Sequence, residues 1–208
     1  MARNIAVGID IGTYSTNTAV LELENSDKNP KILSLNSYPS AGVRKGNIIE
    51  IKEAANSIKE SIKSAEGIIG FPIKRASVSI GGLNLCSVIS KGIAAVSRAD
   101  GEITDNDIKR AVAHSESNLS RMANKSIIHT IPLFYKIDGE YAGKNPIGMK
   151  GGKLEVETLF IVNLTQNLNN LLKSIELAGI EVSDVVASPI AAGRILLDKR
   201  QKEVCSLV

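Results

Sequence analysis

A chain of 208 residues that is 43% hydrophobic and 23% charged has enough apolar material for a packed core, which excludes a wholly disordered protein. Its net charge of +3 is spread along the sequence without a basic run interleaved with aromatics, which argues against nucleic-acid binding. Cys86 and Cys205 stand far apart without ligand-like neighbours, so a reducing, cytoplasmic setting is expected rather than a disulfide framework or zinc site, and no apolar run reaches the ~20 residues of a membrane span.

Asn4 to Asp10 and Thr16 to Leu23 are apolar runs joined by Ile11-Gly12-Thr13-Tyr14-Ser15, a β-hairpin signal. Asn25 to Pro30 is turn chemistry, and Lys31 to Tyr38 alternates as a third strand of the same meander. The period then changes. Ile51, Ala54, Ala55, Ile58, Ile62, Ala65 and Ile69 recur at spacings of three and four, one face of an amphipathic helix. Arg75 to Ile80 alternates as a strand up to Gly81-Gly82.

Leu83 to Val96 is again strand-like, and Thr104-Asp105-Asn106-Asp107 has the form of a capping box. The helix it opens carries Ile108, Ala111, Val112, Leu119 and Met122. Ser126 to Ile137 predicts a strand, Asp138 to Gly152 a glycine-rich loop or hairpin connection, and Leu154 to Leu164 a long apolar strand. Strand, helix, strand, strand describes a compact inserted α+β module. Beyond it, Leu168, Leu171, Leu172, Ile175 and Ala178 share a helical face that ends at Gly179, and Val182 to Ala187 is a short buried strand. Pro189 suits the first turn of a helix running to Leu197, and Glu203 to Val208 opens what reads as another strand.

The segment Gly8-Ile9-Asp10-Ile11-Gly12-Thr13-Tyr14-Ser15-Thr16 carries the most chemistry. A carboxylate ending a strand, then glycine, then hydroxyl residues in a tight turn offers N–H and O–H groups to phosphate oxygens, and Gly12 lets the backbone come close. Asp10 is suited to a magnesium ion, usually through water. On these residues alone, an ordinary glycine-containing hairpin turn is an equal reading. The other candidates read as structural: His114 and His129 lack nucleophile or carboxylate neighbours, and Asp105 and Asp107 serve as cap and macrodipole complements. Lys144, Lys150 and Lys153 cluster near the glycine-rich loop, by default a solvated surface.

Asp10-Ile11-Gly12-Thr13 between two strands resembles the first phosphate loop of the actin, sugar-kinase and DnaK superfamily. Within it, Pro39-Ser40-Ala41-Gly42-Val43-Arg44-Lys45-Gly46-Asn47-Ile48-Ile49-Glu50-Ile51 is similar to the FtsA pattern Ser-x-Gly-[hydrophobic]-[basic]-[basic]-Gly-x-[hydrophobic]-[hydrophobic]-[acidic]-Ile. Asn145-Pro146-Ile147-Gly148-Met149-Lys150-Gly151-Gly152-Lys153-Leu154-Glu155 resembles that family's Asp-Pro-x-Gly-Met-x-Gly-x-x-Leu-Glu, with Asn145 replacing the usual acidic residue. Ser97-Arg98, followed by Glu102-Ile103-Thr104, looks like the family's passage into the module's helix. Tyr14 departs from the smaller residue common in the loop.

The resemblance implies an α/β, actin-like (ribonuclease H-like) lobe at residues 1–82 and 164–208, corresponding to subdomain 1A, interrupted at 83–163 by an SHS2-type α+β subdomain 1C. It implies ATP with magnesium, the phosphates on Gly12, Thr13, Tyr14 and Ser15 and the metal on Asp10 through water. The family ties FtsZ filaments to the inner face of the cell membrane at the division site. Its subdomain 1C is associated with self-association and with recruiting late division proteins. The family's second phosphate loop, adenosine motif, FtsZ-binding lobe and membrane helix are not among these 208 residues. They are therefore expected to hold half a nucleotide site and to hydrolyse no ATP. Three rival readings are a PilM-like pilus-assembly protein, an enzyme of the sugar-kinase or exopolyphosphatase type, and a fragment without a role of its own. Arg44-Lys45-Gly46 and Pro146 to Leu154 favour FtsA over PilM, and the enzyme reading lacks a catalytic carboxylate and a second phosphate loop.

Overall fold

The structure, a computed structural model, describes residues 4–23, 30–120 and 122–203. Extended alternation builds β1 (Ile5–Ile11), β2 (Ser15–Glu22) and β3 (Lys31–Pro39), an antiparallel meander that pairs Gly8 with Ala19 and Ala19 with Leu35. Most of the turn expected at Asn25 to Pro30 lies outside the described residues. Next comes a hairpin of β4 (Val43–Arg44) and β5 (Asn47–Ile48). Two-residue strands hold no period, so only the motif, and not these strands, was legible in the sequence.

The long amphipathic stretch forms α1 (Ile51–Ile69), which buries Ala54, Ala55, Ile58, Ile62 and Ala65 and packs on β2 and β3. Its two buried serines replace aliphatic contacts with hydrogen bonds. Ser61 Oγ lies 2.7 Å from Thr18 Oγ1, and Ser57 Oγ accepts from the Ala41 N–H at 2.9 Å. Buried hydroxyls of this kind are tolerated only when paired. β6 (Arg75–Ile80) then lies parallel to β1, with Gly8 opposite Ser77.

The following segment holds β7 (Cys86–Ala95), α2 (Asp105–Ser117), β8 (Lys125–Ile137), β9 (Glu140–Gly143) and β10 (Lys153–Leu164). The chain ends in α3 (Thr165–Leu177), β11 (Glu181–Ala187), α4 (Ser188–Leu196) and the short α5 (Lys199–Glu203). Glu203 thus closes a helix rather than opening a strand, and the remainder of that expected strand, Val204 to Val208, lies outside the described residues. Among the described residues, no helix is long and apolar enough to cross a membrane.

The chain divides into two compact units, Met1–Leu85 with Leu164–Val208, and Cys86–Asn163. The first is built on the sheet β11-β6-β1-β2-β3, antiparallel from β1 to β3 and parallel from β1 through β6 to β11. α3 packs on α1 and β11, and α4 on β11 and β6.

The second unit is built on the sheet β7-β10-β8-β9, with α2 packed on β7. Its core gathers Ala94, Ile103, Ala111, Tyr135, Ile137, Leu154 and Val156. α2 approaches β7 so closely at Gly92 that a Cβ there would stand 2.0 Å from the Ala111 carbonyl oxygen. The helix ends at Ser117, short of the Leu119 and Met122 that periodicity assigned to it. Asn118 leaves the helix there, and its side-chain amide donates to the Lys91 carbonyl of β7 at 3.0 Å.

Candidate phosphate-binding site

The turn between β1 and β2 is closed by its own glycine. The Gly12 N–H donates to the Ser15 carbonyl at 2.9 Å, and a Cβ on Gly12 would stand 3.1 Å from that oxygen. Gly12 therefore shapes the loop and spends its N–H inside it. The tip residues Thr13 and Tyr14 keep their N–H groups free, donating to no group among the described residues. Tyr14 is 91% exposed, so its side chain stands in solvent. Ser15 Oγ donates to Asn17 Oδ1 at 3.3 Å.

Two neighbouring segments hold the turn in place. The Ser40 N–H donates to the Tyr14 carbonyl at 3.0 Å, and the Gly46 N–H to Thr13 Oγ1 at 2.9 Å. Thr16 Oγ1 and Ser40 Oγ lie 2.9 Å apart beneath the loop. The β4–β5 turn takes positive φ at both tip residues, 51° at Lys45 and 75° at Gly46, the handedness favoured in two-residue hairpins. A Cβ on Gly46 would lie 2.7 Å from the Gly82 Cα, so this turn also rests on the Gly81-Gly82 corner after β6.

Asp10 is exposed at the end of β1, opposite Asn17, and its carboxylate accepts a hydrogen bond from the Ser79 hydroxyl of β6. The three residues line one groove of about 690 Å³ with Gly8, Ser77 and the α4 residue Ile195. Leu35, Val186 and Ala191 also line it, so much of the groove is apolar. Ser79 was not singled out from the sequence, because its place beside Asp10 depends on the parallel pairing of β6 with β1, a long-range fact with no local signal.

The second unit's motifs form a different structure. Asp107 is fully buried and accepts from the N–H and Oγ of Ser97 at 3.0 and 2.9 Å, from the N–H and Oγ1 of Thr104 at 2.9 and 2.7 Å, and from the Arg110 guanidinium. Burial disfavours its charge, but these donors outweigh burial and hold the carboxyl well below the usual range. The Ser97-to-Thr104 passage is thus organised around one buried carboxylate. The Pro146-to-Gly152 stretch wraps Ile103, whose N–H donates to the Met149 carbonyl at 2.9 Å and whose carbonyl accepts from Gly148 at 3.1 Å. His114 Nδ1 accepts from the Ile93 N–H at 3.0 Å, and Lys153 pairs with Glu155, so both serve structure.

Residues 82–162 match the family described as the SHS2 domain inserted in FtsA. The chain is 35% identical over 202 residues to cell division protein FtsA of Bacillus subtilis (strain 168), an alignment covering 97% of this chain and 45% of that protein. It is 34% identical over 204 residues to cell division protein FtsA of Borreliella burgdorferi, covering 98% and 49%. The chain spans about half the length of the curated relatives it matches. Among solved structures, the PilM-PilN type IV pilus biogenesis complex superposes with a TM-score of 0.56 at 17% identity, covering 91% of this chain and 49% of that one. That likeness speaks for the fold alone, an actin-like α/β fold. Along nearly its whole length the chain is therefore similar to the FtsA cell-division proteins, and it carries the SHS2 domain found inserted in them.

Proposed function

We propose that this chain acts in bacterial cell division as an FtsA-type protein, its first unit presenting a phosphate loop and its second unit a surface for other division proteins. Similarity to FtsA over 97% of the chain carries the reading. In the first unit, the free N–H groups of Thr13 and Tyr14 and the Thr13 hydroxyl suit the terminal phosphates of ATP, and the Ser15 hydroxyl would join them by giving up its bond to Asn17. Asp10 suits a hydrated magnesium ion, which would neutralise phosphate charge. The linkage of FtsZ filaments to the membrane belongs, on this reading, to the longer protein of which such a chain is part. A PilM-like role is less well supported, since the likeness to that complex is structural, at 17% identity.

The second unit's partner surface is testable at α2. Lys109 and Arg110 are both exposed there, but Arg110 anchors Asp107, so reversing its charge would damage the fold as well as the surface. Lys109→Glu is the cleaner probe. Sedimentation of the purified chain with full-length FtsA of Bacillus subtilis should show a complex that Lys109→Glu weakens without lowering the melting temperature. A complex indifferent to Lys109→Glu would remove α2 from the partner surface. No complex with FtsA, or with any late division protein tried in its place, would count against the reading itself.

A further inference from the structure

The phosphate loop from Gly8 to Thr16 contains no cation. An anion as dense as a triphosphate is seldom held by neutral donors alone, and a lysine beside the loop is the usual supplement. We propose that Lys45, at the tip of the β4–β5 turn, is that supplement, a phosphate-contacting residue that completes the loop from a neighbouring hairpin. The inference rests on the reading of Gly12 to Ser15 as a phosphate loop.

Three observations place Lys45 there. The nitrogen that donates to Thr13 Oγ1 at 2.9 Å belongs to Gly46 and is bonded directly to the Lys45 carbonyl carbon, so Lys45 is tied to the loop tip. The turn is fixed on its other side by the close approach of Gly46 to Gly82. Finally, Lys45 adopts a φ of 51°, where asparagine, aspartate or glycine would suit the backbone better. A lysine held in that conformation, exposed and with no ion-pair or hydrogen-bond partner among the described residues, points to a use for its side chain. Arg44, by contrast, lies within β4 and pairs in register with Asn47.

Lys45→Gly separates the two roles, because glycine relieves the backbone strain while removing the charge. Its melting temperature should equal or exceed that of the unaltered chain. The ¹⁵N-labelled 208-residue chain would be titrated with Mg-ATP and, separately, with inorganic triphosphate, following the amides of Asp10 to Ser15. With both ligands, Lys45→Gly should bind roughly threefold to fivefold more weakly, the size expected for losing one exposed ion pair. Its binding should also depend less on salt. Lys45→Arg, which keeps the charge, should bind within about twofold of the original on the same scale. Shifts at Asp10 to Ser15 with equal affinity in Lys45→Gly would overturn the assignment of Lys45 and leave the phosphate loop standing. No shift there with either ligand in the unaltered chain would overturn both.

Discussion

A carboxylate removed from water keeps its charge only if its surroundings supply what water would, and Asp107 receives that supply from Ser97, Thr104 and Arg110. Its native pKa is depressed. Its stabilising contribution is therefore complete above the ordinary carboxylate pKa near 4 and is lost as the pH falls below that value toward the depressed one. Asp107→Asn keeps the shape, removes the charge and leaves donors facing an amide. At neutral pH it should lower stability by about 2 to 4 kcal/mol. In urea unfolding followed from pH 7 downward, the gap between variant and original should narrow below about pH 4. A gap that stays constant down to pH 2 would show that the charge does not hold the network. The capping relation between Thr104 and Asp107 was legible in the sequence because it spans three residues, a spacing with a known signature. The tie to Ser97 was not, since it crosses ten residues and the irregular stretch between β7 and α2, where no period reports pairing.

β7 is an edge strand, and the outward-facing groups of an edge are a template for unwanted pairing unless something covers them. Here one helix covers them at its own period. Arg110, His114 and Asn118 stand four residues apart along and just beyond α2, and they meet alternate residues of β7: the Ala95 carbonyl at 2.6 Å, the Ile93 N–H at 3.0 Å and the Lys91 carbonyl at 3.0 Å. Two strand residues advance about 6.6 Å and four helical residues about 6 Å, so the two rows stay in step. His114→Ala should free the Ile93 amide, raising its hydrogen-exchange rate relative to Gly92 and Ala94, at a stability cost of about 1 kcal/mol. An unchanged Ile93 rate would mean that the histidine does not seal the edge. The sequence disclosed the helix and the strand separately, through periods of 3.6 and 2. It could not disclose this registration, and for the same reason it placed the helix end at Met122 instead of Ser117. The sequence left His114 without a role because its partner is a backbone N–H 21 residues away.

At the scale of the molecule, the change from strand to helix periodicity made the meander, the helix after it and the strand-helix-strand-strand stretch legible, whereas the actin-like α/β fold was anticipated only through the resemblance of the motifs to a known family. The side-by-side order of β1, β6 and β11 was not legible, and with it the placing of Ser79 against Asp10. On the phosphate-loop reading, what the 208 residues can offer ATP rests on the local β1–β2 turn. Among the described residues the turn has two free N–H groups, at Thr13 and Tyr14, with the Thr13 hydroxyl beside them, while the Gly12 N–H is already spent on Ser15 and the Ser15 hydroxyl on Asn17. Hydrogen bonds net about 0.5 to 1.5 kcal/mol each, or about 1.5 to 3 to a charged partner. Association costs an estimated 4 to 15 kcal/mol before any surplus appears. A handful of such bonds from an exposed turn therefore leaves roughly millimolar affinity, about 4 kcal/mol. Calorimetric titration of the 208-residue chain with Mg-ATP should show binding no tighter than that, and phosphate release should stay at background. Gly12→Val is a poor control, because its side chain would press on the Ser15 carbonyl and distort the turn along with any site. Asp10→Asn leaves the turn's closing hydrogen bond untouched and is the better one. Micromolar binding that Asp10→Asn abolishes would show that these residues already form a working nucleotide site, and the count of free donors would then have missed what holds the ligand.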